Sequence, residues 1–144
     1  MESVTSDGST ARFAGTVTVT GTIYFEFDQG DSGHMDGVNF AKFVPDTKSI
    51  SRLPAIIEGY FPAPVKYVLL EPPEAALQGA YGRNQARRMA HGSALAAHTR
   101  VRVVIRNYSA SVECDAREYM STDAVVTPLE SIRFTSAAQV PGGC

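Results

Sequence analysis

Apolar and polar positions alternate without a break from Arg12 to Asp28. The odd positions are apolar or glycine: Phe13, Gly15, Val17, Val19, Gly21, Ile23, Phe25 and Phe27. The even positions are Arg12, Ala14, four threonines from Thr16 to Thr22, then Tyr24, Glu26 and Asp28. A period of two places each set on its own face of a strand. The run far exceeds the usual strand of about 5–6 residues, so it predicts one long, bent strand. Val17, Val19, Ile23, Phe25 and Phe27 turn inward, and Gly15 and Gly21 let the strand coil or round a corner.

Downstream the pattern is shorter in range. Asp28 to Gly37 is rich in Asp, Gly and Ser and predicts a loop. Val38 to Val44 alternates weakly and Ala55 to Phe61 reads as a strand. Val65 to Leu70 is a continuous apolar run of strand length, stopped by Pro72-Pro73. Glu74 to His91 is the good helical segment: Pro73 and Glu74 suit a first turn, and Leu77, Tyr81 and Met89 lie near one face. Gly79 and Gly82 weaken it, so one helix and two short ones fit equally. Strict alternation returns from Thr99 to Arg106, followed by a turn at Asn107-Tyr108-Ser109 and a returning strand to Cys114. Asp123 to Phe134 is a final strand with an edge or bulge at Pro128.

The order of elements, a long coiled first strand and a helix between the third and fourth strands, resembles the five-stranded OB-fold barrel. The segments that carry the resemblance are Gly15–Phe27, residues 74–91 and the strand from Arg100. More loosely, the chain resembles small exported bacterial OB-type domains. The resemblance implies a mainly β fold with one helical insert, with a small β-sandwich as the alternative. Read along its length, the chain starts with a polar, disordered lead-in over residues 1–11, followed by a single OB-like barrel domain over 12–136 and a tail over 137–144.

Composition narrows this further. A chain of 144 residues with 44% hydrophobic and 19% charged residues suits one globular domain. No apolar run approaches the ~18 residues needed to span a bilayer. The net charge of −2 points to neither a polyanion nor a membrane surface as partner. Two cysteines, Cys114 and Cys144, are compatible with a disulfide that would pin the tail and contribute about 3–4 kcal/mol. That bridge favours an oxidising compartment, periplasmic or secreted after removal of a leader, over the cytoplasm.

Candidate chemistry is sparse. Gly30-Asp31-Ser32-Gly33 resembles the segment around the nucleophile of chymotrypsin-like proteases, but His34, His91 and His98 all follow Ser32, where those enzymes place the histidine earlier. Asp28, Asp31 and Asp36 lack the offsets of a calcium loop. His91 and His98 stand seven residues apart with no HExxH or CxxC, so no zinc site or other cofactor is expected. Glu113/Asp115 and Glu71/Glu74 are the paired carboxylates. The strongest surface feature is an arginine row: Arg100, Arg102 and Arg106 share one strand face, with Arg83, Arg87 and Arg88 upstream and Tyr108 just beyond. On an OB-type barrel such a face can bind single-stranded nucleic acid. The acidic balance and the absence of tryptophan argue against that partner.

The sequence therefore predicts a non-catalytic binding protein of the bacterial envelope, most concretely an inhibitor or immunity protein blocking a secreted hydrolase or toxin. Candidate binding residues are Arg100, Arg102, Arg106, Tyr108, Asp31, His34 and Asp36, the last three on a loop able to reach into a cleft. An oligonucleotide-binding module and an accessory subunit of an envelope complex are the alternatives.

Overall fold

The long alternating run forms two strands rather than one. A computed structural model of the chain describes residues 1–7, 10–29, 35–54, 65–90, 96–113, 116–131 and 133–135. In it β2 (Thr10–Ala14) and β3 (Val17–Gln29) meet at Gly15, whose φ of 104° is open to glycine at little cost. Both strands still turn their odd positions inward, since Phe13, Val19, Ile23, Phe25 and Phe27 are buried. Val17 is partly buried. At Gly21 a Cβ would run into the Val44 carbonyl oxygen and stand 2.9 Å from the Pro45 Cα, so the neighbouring strand closes on glycine backbone.

The other strands are β1 (Glu2–Asp7), β4 (Met35–Pro45), β5 (Val68–Leu70), β6 (Ala96–Glu113), β7 (Ala116–Pro128) and β8 (Arg133–Thr135). Their pairings close a ring in the order β3, β4, β5, β7, β6 and back to β3. All of these pairs are antiparallel except β5 with β7, where Leu69 opposes Met120. The chain is thus a mainly β barrel built from a meander of three strands, a helical crossover and a closing hairpin. That is the order the OB resemblance implies.

The crossover carries α2 (Pro73–Tyr81) and α3 (Arg83–Ala90), separated by Gly82, and a further short helix, α1 (Thr47–Ile50), follows β4. Ala76, Leu77 and Ala80 of α2 and Ala86 and Met89 of α3 are buried against the barrel. The Tyr81 ring lies 5.7 Å from that of Phe25. Inside the ring, Ile23, Phe25, Phe43, Val68, Leu70, Val101, Val103 and Ile105 are all fully buried, each worth about 1.5–3 kcal/mol.

Two expectations need correction. Residues 1–11 are not a lead-in without structure in the described part: β1 pairs with β2, and β2 pairs with the far half of β6. The polar segment Glu2–Asp7 has no apolar row to announce a strand, and its order comes from ladder hydrogen bonds to β2. Nor does the chain turn at Asn107. β6 runs on to Glu113, while Asn107 takes a φ of 47°. The segments 55–61 and 137–144 lie outside the described residues.

Candidate functional site

The arginine row is assembled as the alternation predicts, but its members are not equivalent. β4 stops pairing with β3 at Gly21, which leaves the edge of Val17–Thr20 open. The segment around α1 covers that edge. The Asp46 N–H donates to the Thr20 carbonyl at 2.9 Å and the Arg52 guanidinium to the Thr18 carbonyl at 2.9 Å. Asp46 stands at the start of α1, yet its carboxylate does not cap the helix. It turns instead to Arg100, whose Nη1 and Nη2 donate to its two oxygens at 2.5 and 2.7 Å. Thr20 Oγ1 adds a third hydrogen bond at 3.0 Å. The paired Arg100 guanidinium, assisted by Thr20, holds the Asp46 carboxyl at about 2, against 3.8 ordinarily, despite an opposing contribution from burial.

Arg100 is therefore a structural clamp between β6 and the turn after β4. Arg106 approaches Asp123 at 3.8 Å, with both side chains about half exposed. Arg102 is exposed and makes no ion pair among the described residues. Arg83, Arg87 and Arg88 are exposed on α3.

Tyr108 does not belong to this face. Val101, Val103 and Ile105 point inward, and the left-handed residue Asn107 then shifts the phase so that Tyr108 and Ala110 point inward instead. Tyr108 is 1% exposed, and its hydroxyl donates to the Pro54 carbonyl at 2.7 Å. Its ring lies 5.7 Å from Phe13 and 6.2 Å from Tyr119. Burial pushes its phenol far above the ordinary range. Asp31, His34, Cys114 and Cys144 lie outside the described residues. Asp36 sits in β4, with its side chain outside them.

A different face gathers the side chains that sequence reasoning missed. On β4, Phe40, Lys42 and Val44 point out of the barrel. Lys42 opposes Leu69 of β5, and Leu69 opposes Met120 of β7. Two positions to either side by alternation stand Tyr67 and Glu71 about β5, and Glu118 and Thr122 on β7. The Lys42 ammonium lies 5.1 Å from the ring centroids of both Phe40 and Tyr67, and the residue is only 8% exposed. Tyr24, the neighbour of Lys42 on β3, stacks on His98 at 5.5 Å. Burial first, then the charges of Glu74 and Glu118, holds the Glu71 carboxyl above its ordinary range. Tyr67 is raised likewise by burial and by Glu118.

The signal for this face was hidden by an irregularity. The register between β3 and β4 shifts between Glu26 and Phe27, so Asn39 and Phe40 are both exposed while Val38 and Ala41 are both buried. That breaks the alternation that would have marked Phe40 as outward. Among the described residues no group of three or more His, Cys, Asp or Glu is placed to hold a metal ion. No helix there is long and apolar enough to cross a membrane. Searches of protein-family models, curated proteins and solved structures give no match to this chain.

Proposed function

We propose that this protein is a non-catalytic binding module whose partner is another protein, and that the partner docks on the outer face of β4, β5 and β7. What carries the reading is the chemistry of that face. A sheet with one buried side ordinarily turns polar side chains to water. Here Phe40 (37% exposed), Val44, Tyr67, Leu69 and Met120 point outward together around Lys42. Apolar and aromatic side chains gathered on a partly exposed outer face and bordered by charge have the composition of a protein interface core and rim.

The arginine row supports the oligonucleotide alternative less well. The guanidinium that would be its strongest phosphate ligand, Arg100, is already held bidentate by Asp46. The concrete form of the reading remains an inhibitor or immunity protein acting at the bacterial envelope on an exported hydrolase or toxin. A Cys114–Cys144 bridge belongs to that form. It lowers the intact mass by two hydrogens, and two titratable thiols in unreduced protein would remove the argument for export.

The test is site-specific photocrosslinking. A benzophenone side chain placed at position 40 is expected to capture a protein from an extract of the native host, and one placed at Val104 is not. Excess unlabelled protein should abolish the adduct, whereas protein carrying Phe40→Ala and Tyr67→Ala should not. Single-stranded DNA is expected to bind no tighter than about 10 µM at physiological salt, the range of non-specific phosphate contact. Submicromolar, salt-sensitive oligonucleotide binding that depends on Arg102, without a protein adduct, would overturn the reading.

A further inference from the structure

We infer, on the strength of that reading, that the segment docking on this face is basic: arginine or lysine side chains interspersed with apolar ones. The argument is charge complementarity laid over an aromatic platform. Three carboxylates gather at the β5–β7 side of the face: Glu118 on β7, Glu71 just after β5, and Glu74 in the first turn of α2. Glu71 experiences the charge of both others, and Glu118 also acts on the Tyr67 phenol. Among the described residues no cation forms an ion pair with any of the three.

Lys42, a described cation on the face, has its ammonium over the rings of Phe40 and Tyr67. Among the described residues the net charge of the platform is therefore negative. A guanidinium from a partner meets two kinds of group here. Its plane can stack against Tyr67, and its N–H groups can donate to Glu118 or Glu71. Apolar side chains between the cations then cover Phe40, Leu69 and Met120. An acidic or phosphate-bearing segment would instead bring its charge against three carboxylates, a like-charge arrangement that interfaces select against.

The experiment uses two synthetic peptides, one alternating arginine with leucine and one with glutamate in place of arginine, titrated into the full chain and followed by fluorescence anisotropy. The arginine peptide is expected to bind, more weakly as salt rises, and the glutamate peptide is not. Glu118→Gln and Glu71→Gln should each weaken the arginine peptide about three- to tenfold, while Asp123→Asn, an exposed acid whose carboxylate already faces Arg106 at 3.8 Å, should not. Circular dichroism melts confirm that each variant is folded. If Phe40→Ala and Tyr67→Ala weaken binding but the charge-reversed peptide binds as well as the basic one, the basic character is wrong and the docking face stands. If Asp123→Asn weakens binding as much as Glu118→Gln, attraction is merely to net charge and the inference fails. If Phe40→Ala and Tyr67→Ala change nothing, the docking face itself is wrong.

Discussion

Replacing Asp46 by asparagine removes a charge and almost no volume, so it isolates the pairing with Arg100. The carboxyl is held at about 2 in the folded chain, against 3.8 ordinarily. Each tenfold in proton affinity is worth about 1.4 kcal/mol, so full expression of that shift is on the order of 2 kcal/mol. The pair is not sealed from water: 22% of the Asp46 side chain and 34% of the Arg100 side chain remain exposed. Solvent screening brings the expected loss to about 1–2 kcal/mol at neutral pH.

The pH dependence has a definite sign. A carboxylate whose folded value lies below its unfolded value contributes stability above pH 3.8 and loses it as pH falls through about 2. Urea denaturation of wild type and Asp46→Asn between pH 2 and pH 7 should therefore show a gap that is constant above about pH 5 and closes toward pH 2. Arg100→Gln should reproduce the loss and abolish its pH dependence. Arg106→Ala, which breaks a 3.8 Å contact between half-exposed groups, should shift stability by less than about 0.5 kcal/mol. A gap that stays level from pH 7 to pH 2, or an effect of Arg106→Ala as large as that of Asp46→Asn, would refute the assignment of Arg100 as a clamp.

Three further outcomes concern single residues. Gly21→Ala should destabilise by about 1–3 kcal/mol or prevent folding, because its Cβ meets the backbone of Val44 and Pro45; an unchanged melting temperature would contradict that close approach. Tyr108→Phe should cost about 1 kcal/mol in chemical denaturation, since the Pro54 carbonyl loses its donor while the ring keeps its packing. Glu71→Gln should stabilise the protein at pH 7. The wild-type carboxyl is raised in the fold, so its ionisation costs stability as pH rises. The two proteins should converge in acid below the ordinary carboxylate range, and a wild type that is the more stable at neutral pH would reverse the argument.

The alternation from Phe13 to Phe27 was sufficient to identify the inward row, because a period of two assigns faces without reference to any partner. The same logic correctly placed Val101, Val103 and Ile105 inside and the arginines outside. The order of strands and helices was enough to imply the barrel. Three things depended on tertiary contacts. Order in Glu2–Asp7 comes from ladder pairing to β2 and leaves no mark in hydropathy. The inward turn of Tyr108 follows from one left-handed residue, Asn107, which reverses the faces of everything after it. The roles of the charges are the third. Arg100 and Asp46 are 54 residues apart, and which of three similar arginines is clamped depends on where the β4 turn crosses β3. The outward cluster of Phe40, Lys42, Tyr67 and Glu118 likewise draws on strands far apart in the chain, behind a register shift that concealed its first member. Local pattern determines which face a side chain takes, and only ring closure determines its neighbours.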